Sequence, residues 1–300
     1  MRLRLLAAAV LAAGPLLGGC GSSSSGRGHA LLDAGAAGAF DASLDAGTGG
    51  AGSDAAGTPG DGGGHTVLVP VVVRSRCPDP TMILIGSFCI DPWEEYVVEL
   101  DAAGNETPHS PYDAVDGLTV RAKTAPGVVP QGYISQVQAT AACVAAGKRL
   151  CSADEFHLAC EGPDASNWYP YGGETHIPGY CNEGKGSMMP VLYGNDSASW
   201  TYADFNDPRL DQIDGGLAPT GTYPHCKSPY GVYDCVGNLH EWGSDPADAN
   251  GHGRFRGGFY GDAEINGHGC LYVTSAHELA YHDYSTGFRC CADAIRPRVP

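Results

Sequence analysis

The sequence has little positive charge. Lysine and arginine together number 17, against 34 aspartates and glutamates, so the 300 residues carry a formal net charge of −17. A chain without a basic cluster lacks the feature that attracts nucleic acid or an anionic membrane surface, and we expect neither as a partner. The acidity itself has two interpretations, which are binding of divalent cations and simple solubility.

Common catalytic patterns are also absent. The chain contains no Cys-x-x-Cys, the usual dithiol redox centre, and no Gly-x-Ser-x-Gly, the nucleophile turn of serine hydrolases. The 11 histidines include no His-x-His and no pair spaced to share one face of a helix, as a zinc site would require. We therefore do not expect catalysis by these routes.

No apolar run at the N-terminus is long enough to span a bilayer. Residues 5–17 are apolar but short, and they lead into Leu17-Gly18-Gly19-Cys20, which resembles a bacterial lipoprotein cleavage box. We predict a signal peptide over residues 1–20 with Cys20 lipidated; the alternative is an ordinary signal peptide. Because Gly21 is not an aspartate, we expect an exported protein, lipid-anchored in the bacterial cell envelope at the outer membrane.

Composition divides the remaining chain in two. Residues 21–65 are almost wholly Gly, Ala, Ser, Asp, Thr and Pro, which cannot bury a core, so we predict a disordered linker. Residues 66–300 suit one domain. Within this domain the patterns predict strands at 66–73 and 82–90, helices at 135–146 and 153–160, and an irregular stretch from about 162 to 218. Ser152 and Glu155 form the capping box of the second helix.

Cysteine is abundant. Twelve cysteines in an exported chain indicate a disulfide framework, and lipidation of Cys20 leaves an odd number, so one thiol is expected to be unpaired. Cys77 and Cys89 flank a short connection and are candidates for one bridge.

Several short runs stand in a fixed order. Residues 147–150 read GKRL, 231–242 read GVYDCVGNLHEW, 254–259 read RFRGGF and 286–290 read TGFRC. Together they resemble the formylglycine-generating enzyme (sulfatase-modifying factor) family, over roughly residues 80–294. The resemblance implies an α+β, C-type-lectin-like fold with little regular secondary structure, mixed short strands, a few helices and disulfide staples.

The copper centre of that family is missing. Active members follow Arg-Gly-Gly-Ser with two cysteines, whose thiolates hold Cu(I). Here the serine position is Phe259, the cysteine positions are Asp262 and Gly267, and Cys270 is the segment's single cysteine. A carboxylate and a glycine cannot replace two soft thiolates, so we expect neither bound copper nor formylglycine generation by the copper route.

The resemblance also implies calcium. One family site would use two carboxylates and two backbone carbonyls, all hard oxygen donors. Those residues are Asp234, Glu241, Gly237 and Leu239. The alternative is that the two carboxylates only cap turns.

A second family site for calcium would use the Asn182 side chain and the Glu183 carbonyl. An aspartate further along the chain would complete it, and Asp211 and Asp214 compete for that role.

Disulfide pairing follows from the same resemblance. The family pattern implies Cys143–Cys290 and Cys160–Cys270. Cys226–Cys235 is a plausible local bridge, and Cys151 and Cys291, both additional to the family pattern, are expected to pair with each other.

Two functions remain open. The first is a non-catalytic module that holds a peptide, a glycan or a partner protein in the family's peptide cleft, where Phe259 replaces a hydroxyl. The second is an oxidoreductase-type enzyme of the wider family that uses another metal or none. Enzymatic activity therefore stays undecided, with the balance towards none. The residues that could carry such an activity, in or beside the cleft, are Asp262, Glu264, His268 and His240. Tyr260, Trp242 and Tyr281 are candidates for either ligand contact or core packing.

Overall fold

The computed structural model describes residues 75–275 and 277–296. The predicted signal peptide, Cys20, the linker and the strand at 66–73 lie outside these residues. Within them, no helix combines the length and the apolar character that crossing a bilayer requires.

Short strands dominate the described residues. They form three small sheets, ordered β1-β2-β11-β6, β10-β7-β8-β9 and β4-β3-β5. Strands β7 and β10 pair parallel, which sets Glu241 opposite Gly287. The strands are β1 (Ile83–Ile85), β2 (Phe88–Ile90), β3 (Glu95–Leu100), β4 (Glu106–Pro108), β5 (Val120–Thr124), β6 (Arg149–Leu150), β7 (His240–Pro246), β8 (Gly253–Arg256), β9 (Val273–Thr274), β10 (Thr286–Phe288) and β11 (Cys290–Asp293).

Local sequence signals explain the two longer helices. Helix α1 (Gln136–Ala145) begins after Ser135, whose side chain accepts from the backbone of Gln138 while Gln138 caps in return. Helix α2 (Ala153–Glu161) begins after Ser152 with the predicted capping box. Both helices are confirmed. Two short helices, α3 (Met189–Tyr193) and α4 (Tyr202–Phe205), lie in the irregular stretch.

The predicted strand region at 82–90 is a hairpin. Strands β1 and β2 pair antiparallel, with Ile85 opposite Phe88. Gly86 between them has a φ of +58°, a conformation that glycine adopts without strain. The prediction of mixed short strands with few helices is confirmed.

The core around the second sheet explains two of the candidate aromatic residues. Trp242 packs edge-on against Phe255 at 4.0 Å between ring centroids, and its indole N–H donates to the carbonyl of Ile134 at 2.9 Å. Trp242 and Tyr260 are both buried. They are therefore core residues, whereas Tyr281 is only half-buried.

Disulfides join distant parts of the domain. Four pairings match the predictions, and they are Cys77–Cys89, Cys143–Cys290, Cys151–Cys291 and Cys160–Cys270.

The predicted Cys226–Cys235 bridge is wrong. Cys226 pairs with Cys181, whose Cα lies 4.7 Å away, and Cys235 is a free, buried thiol. The reason is local geometry. Asp234 adopts a φ of +58°, which turns the backbone there, and the Cys235 side chain joins the core cluster that also contains Cys160.

Candidate functional site

The site is built around a buried ion pair. Arg289, directly after β10, donates from Nε to Glu241 Oε2 at 2.9 Å and from Nη2 to Glu241 Oε1 at 2.6 Å. The same guanidinium donates to the carbonyls of Asp91 and Tyr233, at 3.1 and 2.9 Å. Both charged side chains are buried. Arg289 therefore ties β7 to two loops from distant parts of the chain.

Two further carboxylates lie near this pair. Glu94 accepts from the Asn238 amide at 2.5 Å and from the Leu239 backbone N–H at 3.1 Å. Asp234 accepts from the Gly221 N–H at 2.7 Å. Burial, and then the negative charges of Asp234 and Glu241, raises the pKa of Glu94 well above its usual value. Burial also raises the pKa of Asp234 to about 6.

The oxygen donors of this cluster are of the kind that a divalent cation prefers. Glu94, Asp234 and Glu241 contribute three carboxyl groups, and Arg289 donates hydrogen bonds to Glu241. Carboxyl and carbonyl oxygens are hard donors, and hard donors suit calcium. The predicted ligands Asp234 and Glu241 thus share one cluster, although both Glu241 oxygens already accept from Arg289.

Gly237 and Asn182 bring the two predicted calcium sites together. The two residues form a parallel bridge, and a Cβ at Gly237 would lie 2.0 Å from the Asn182 carbonyl oxygen, so only glycine fits. The Asn182 carbonyl accepts from the Asn238 N–H at 2.8 Å. The two predicted sites are therefore neighbours in the fold, although they lie far apart in the sequence.

Asn182 also carries a feature expected of a metal ligand. Its Nδ2 donates to the Gly216 carbonyl and to Asn238 Oδ1, at 3.0 and 2.9 Å. Its buried Oδ1 has no hydrogen-bond partner among the described residues, and the same holds for Oδ2 of Asp211. An unpaired buried oxygen is unfavourable unless a cation or water contacts it. Asp214, the competing candidate, is exposed.

Glu183 makes a different contact from the predicted one. Its carboxylate lies 2.7 Å from Nε2 of His176. The prediction concerned its backbone carbonyl, and that stays a prediction.

A second part of the site is the loop after β8. Gly258 has a φ of +73°, and a Cβ there would lie 2.5 Å from the Cα of Ala263, so the loop folds tightly on itself. The Phe259 ring folds over Gly261, where a Cβ would lie 2.4 Å from Phe259 Cζ. Phe259 also contacts the His240 ring, with 4.9 Å between centroids. An aromatic ring therefore occupies the serine position.

The other cleft candidates separate into two groups. Asp262 Oδ1 accepts from the backbone N–H groups of Glu264 and Ile265, at 3.1 and 3.2 Å, so it stabilises a turn. Glu264 instead accepts from the Tyr169 hydroxyl at 2.8 Å and contacts His268 Nδ1 at 2.6 Å. Glu264 and His268 are thus brought together, while Asp262 is engaged locally.

His240 lies in a hydrogen-bonded row that the sequence did not predict. Ser285 donates to Asp283 at 2.7 Å, so its oxygen accepts from Nδ1 of His240 at 3.2 Å. Nε2 of His240 then accepts from the Tyr272 hydroxyl at 3.3 Å. Burial lowers the pKa of His240 to about 3, so the ring is neutral and its tautomer is fixed. The row holds the His240 ring in one arrangement.

The chain is similar to several known proteins. A family model described as "Sulfatase-modifying factor enzyme 1-like domain" matches residues 85–294. Formylglycine-generating enzymes of Mus musculus and Bos taurus are each 30% identical over 118 residues, which is 39% of this chain and 27% of theirs. The chain thus aligns with about a quarter of the length of these relatives.

Two solved structures are also similar. The Major Tropism Determinant P3c variant has a TM-score of 0.41 at 14% identity, and the match covers 74% of this chain and 56% of that one. CarF has a TM-score of 0.41 at 14% identity, and covers 69% of this chain and 86% of its own.

Proposed function

Because this chain belongs to the sulfatase-modifying factor enzyme 1-like family, we propose that it uses the family scaffold to bind a peptide segment of a partner and does not generate formylglycine. In this proposal the domain is exported and held at the bacterial outer membrane by lipid on Cys20, and residues 21–65 tether it to the surface.

The main support for the absence of the copper reaction is the state of two cysteines, Cys270 and Cys235. Cys270 is bonded to Cys160, and Cys235 is completely buried. Burial raises the pKa of the Cys235 thiol, so the thiolate that binds soft metals is disfavoured. With Phe259, Asp262 and Gly267 at the family's serine and cysteine positions, no thiolate pair is available in this segment.

The same loop supports binding. In this proposal Phe259, which packs against His240, lies in the floor of the peptide groove, and Ile265 on the same loop is 82% exposed. An apolar floor with an exposed apolar rim suits an extended peptide better than a glycan, which needs a dense set of hydrogen-bonding groups. Neutral His240 and its hydrogen-bonded row fix the floor in advance of binding, which reduces the entropy lost on association.

Calcium is the cofactor that we propose for this scaffold. Asp234, Glu241 and the carbonyls of Gly237 and Leu239 would hold one ion, and Asn182, Glu183 and Asp211 a second. When bound, calcium would supply positive charge that balances the buried carboxylates and would order the surrounding loops. The orphaned Oδ1 of Asn182 and the excess of buried carboxylates support this assignment.

The oxidoreductase alternative has no comparable support. Within residues 75–275 and 277–296, one group of three His, Cys, Asp or Glu side chains lies close enough together to hold a metal. It consists of Asp91, Glu95 and Cys290, and Cys290 is in a disulfide. Glu264 and His268 offer two ligand groups. We therefore advance the binding function alone.

The first test uses the full-length protein. Metal analysis should find calcium in the untreated protein and less after treatment with chelator. A cysteine-containing sulfatase peptide incubated with the protein, Cu(I) and oxygen should gain no formylglycine. Stoichiometric copper or iron, or formation of the aldehyde, would contradict the proposal.

The second test measures peptide binding. Peptides selected against the full chain should bind Ile265→Ser more weakly, because this exposed side chain lies at the rim of the groove. Val144→Ser is the matched control, since Val144 is 62% exposed on α1, and it should leave affinity unchanged. Equal affinity of both variants would remove the loop from the binding surface.

A further inference from the structure

A concave site lies beside Tyr202 and Tyr281. It is a cavity of about 420 Å³. Its lining residues are Tyr202, His252, His277, Glu278, Ala280 and Tyr281. The cavity shares none of these residues with the loop that carries Phe259. A ligand here would contact different residues from a peptide on that loop, although Tyr281 and Ser285 of the His240 row both donate to Asp283.

Two tyrosine rings form a corner of this cavity. The Tyr202 and Tyr281 centroids lie 5.6 Å apart, with an angle of 50° between the rings. Tyr202, in α4, remains 51% exposed. Two aromatic faces at such an angle can contact one rounded group from two sides.

The hydroxyls of this corner are already engaged. Tyr202 donates to the His282 carbonyl at 2.9 Å, and Tyr281 donates to Asp283 at 2.5 Å. Tyr281 is also stacked on His277 at 3.8 Å. The rings are thereby fixed, and they offer a ligand their faces and not their hydroxyl groups.

The charges around the cavity are negative. Glu278 lines it and is exposed, and among the described residues its carboxylate accepts no hydrogen bond. The Asp248 carboxylate lies 2.6 Å from Nδ1 of His252. No lysine or arginine is among the residues that line the cavity. Burial lowers the pKa of His277, which favours its neutral form.

We propose that this cavity binds an organic ammonium group. An ammonium is attracted to the negative face of an aromatic ring and to a carboxylate, and the cavity presents both without a lysine or arginine in its lining. A neutral sugar would instead need free hydroxyl donors and acceptors, and both tyrosine hydroxyls are occupied. The group has two possible sources, which are a lysine side chain of a protein and a small quaternary amine.

Titration calorimetry on the full-length protein tests this directly. The probes are tetramethylammonium, n-butylammonium and a short lysine peptide, and each has a neutral counterpart: tert-butanol, n-pentanol and the norleucine peptide. Each cation should bind roughly three- to tenfold more tightly than its counterpart. A lysine peptide that binds more tightly than either free amine indicates a protein source, and the reverse order indicates a small molecule.

Matched variants separate the two attractions. Tyr202→Ala should weaken binding roughly three- to tenfold, whereas Tyr202→Phe keeps the ring face and should bind normally. Glu278→Gln should weaken binding, whereas Glu174→Gln, at another exposed glutamate, should not. Circular dichroism checks that each variant is folded.

Three results would overturn the proposal. They are equal affinity for cations and their neutral counterparts, no saturable binding in the millimolar range, and unchanged affinity in both Tyr202→Ala and Glu278→Gln.

Discussion

Two regions of the domain are held together by different kinds of contact. Where β2, β6 and β11 meet α1, order comes from strand pairing and from the bridges Cys143–Cys290 and Cys151–Cys291. Residues 162–239 contain no strand, yet they too are held in one arrangement. That loop region depends on Cys181–Cys226, on stacked rings and on polar turns. Crosslinks and side-chain contacts thus replace a backbone ladder where the sequence is rich in turn residues.

The strand-rich end should be the more sensitive to loss of its crosslink. Replacing Cys143 and Cys290 together by serine opens a link between residues 147 apart. Chain entropy predicts a loss of about 5 kcal/mol in the free energy of unfolding. Urea denaturation under non-reducing conditions measures it. The comparison is the double variant Cys77→Ser with Cys89→Ser, which removes a link between residues only 12 apart. If the Cys143 and Cys290 variant lost less free energy of unfolding than this one, the entropic explanation would be contradicted.

The loop region should lose somewhat less. Cys181 and Cys226 are 45 residues apart, so replacing both by serine should cost about 4 kcal/mol. Because strand pairing does not support residues 162–239, hydrogen exchange should accelerate there first, while α1 and β11 stay protected. Uniform acceleration across the domain would mean that the two ends unfold as one unit.

Arg289 joins the two regions, and its removal should affect both. Arg289→Met leaves the buried Glu241 without its partner, which should destabilise the domain by about 3 kcal/mol, at the lower end for a broken buried pair. The lower end applies because burial already raises the pKa of Glu241, so the carboxylate can take up a proton. Thermal unfolding measures the effect. Arg209→Met, at an exposed arginine, is the control and should change stability little.

The smallest effect is a pH dependence in the groove floor. His240 is neutral when folded, with its pKa lowered to about 3. Below about pH 6.5 the unfolded chain binds a proton that the folded ring does not. Stability should therefore fall as pH drops, by about 1.4 kcal/mol per pH unit from this residue. Denaturation at pH 5 and 6 should show a shallower slope for His240→Phe, and equal slopes would mean that the ring is protonated in the fold.

Motifs predicted more of this fold than of its site. The runs GKRL, RFRGGF and TGFRC identified the family, and the expected short strands with few helices are confirmed. The capping residues Ser135 and Ser152 acted locally, so the two helices followed from the sequence. The hairpin around Gly86 was predicted only as strand, because nothing local showed that its two halves pair.

The site depended on contacts between distant residues. Asp234 and Glu241 share one motif and were found together, but Glu94 joins them from 140 or more positions away and carried no signal. Tyr272 and Ser285, which contact His240, are also distant from it in the sequence and carried no signal. Cys226 was assigned to Cys235 by proximity along the chain, whereas the fold brings Cys181 to it. Sequence spacing identifies which residue types could act as ligands, and contacts between distant parts of the chain determine which of them lie together.

The lone thiol of Cys235 offers a practical gauge of this domain. It is fully enclosed, and the other described cysteines are oxidised. An alkylating reagent can therefore modify the described part of the chain only when the core around Cys235 opens. The rate of that reaction would count opening events without any engineered label, and the effect of calcium on the rate would show how much a bound ion restrains the loops.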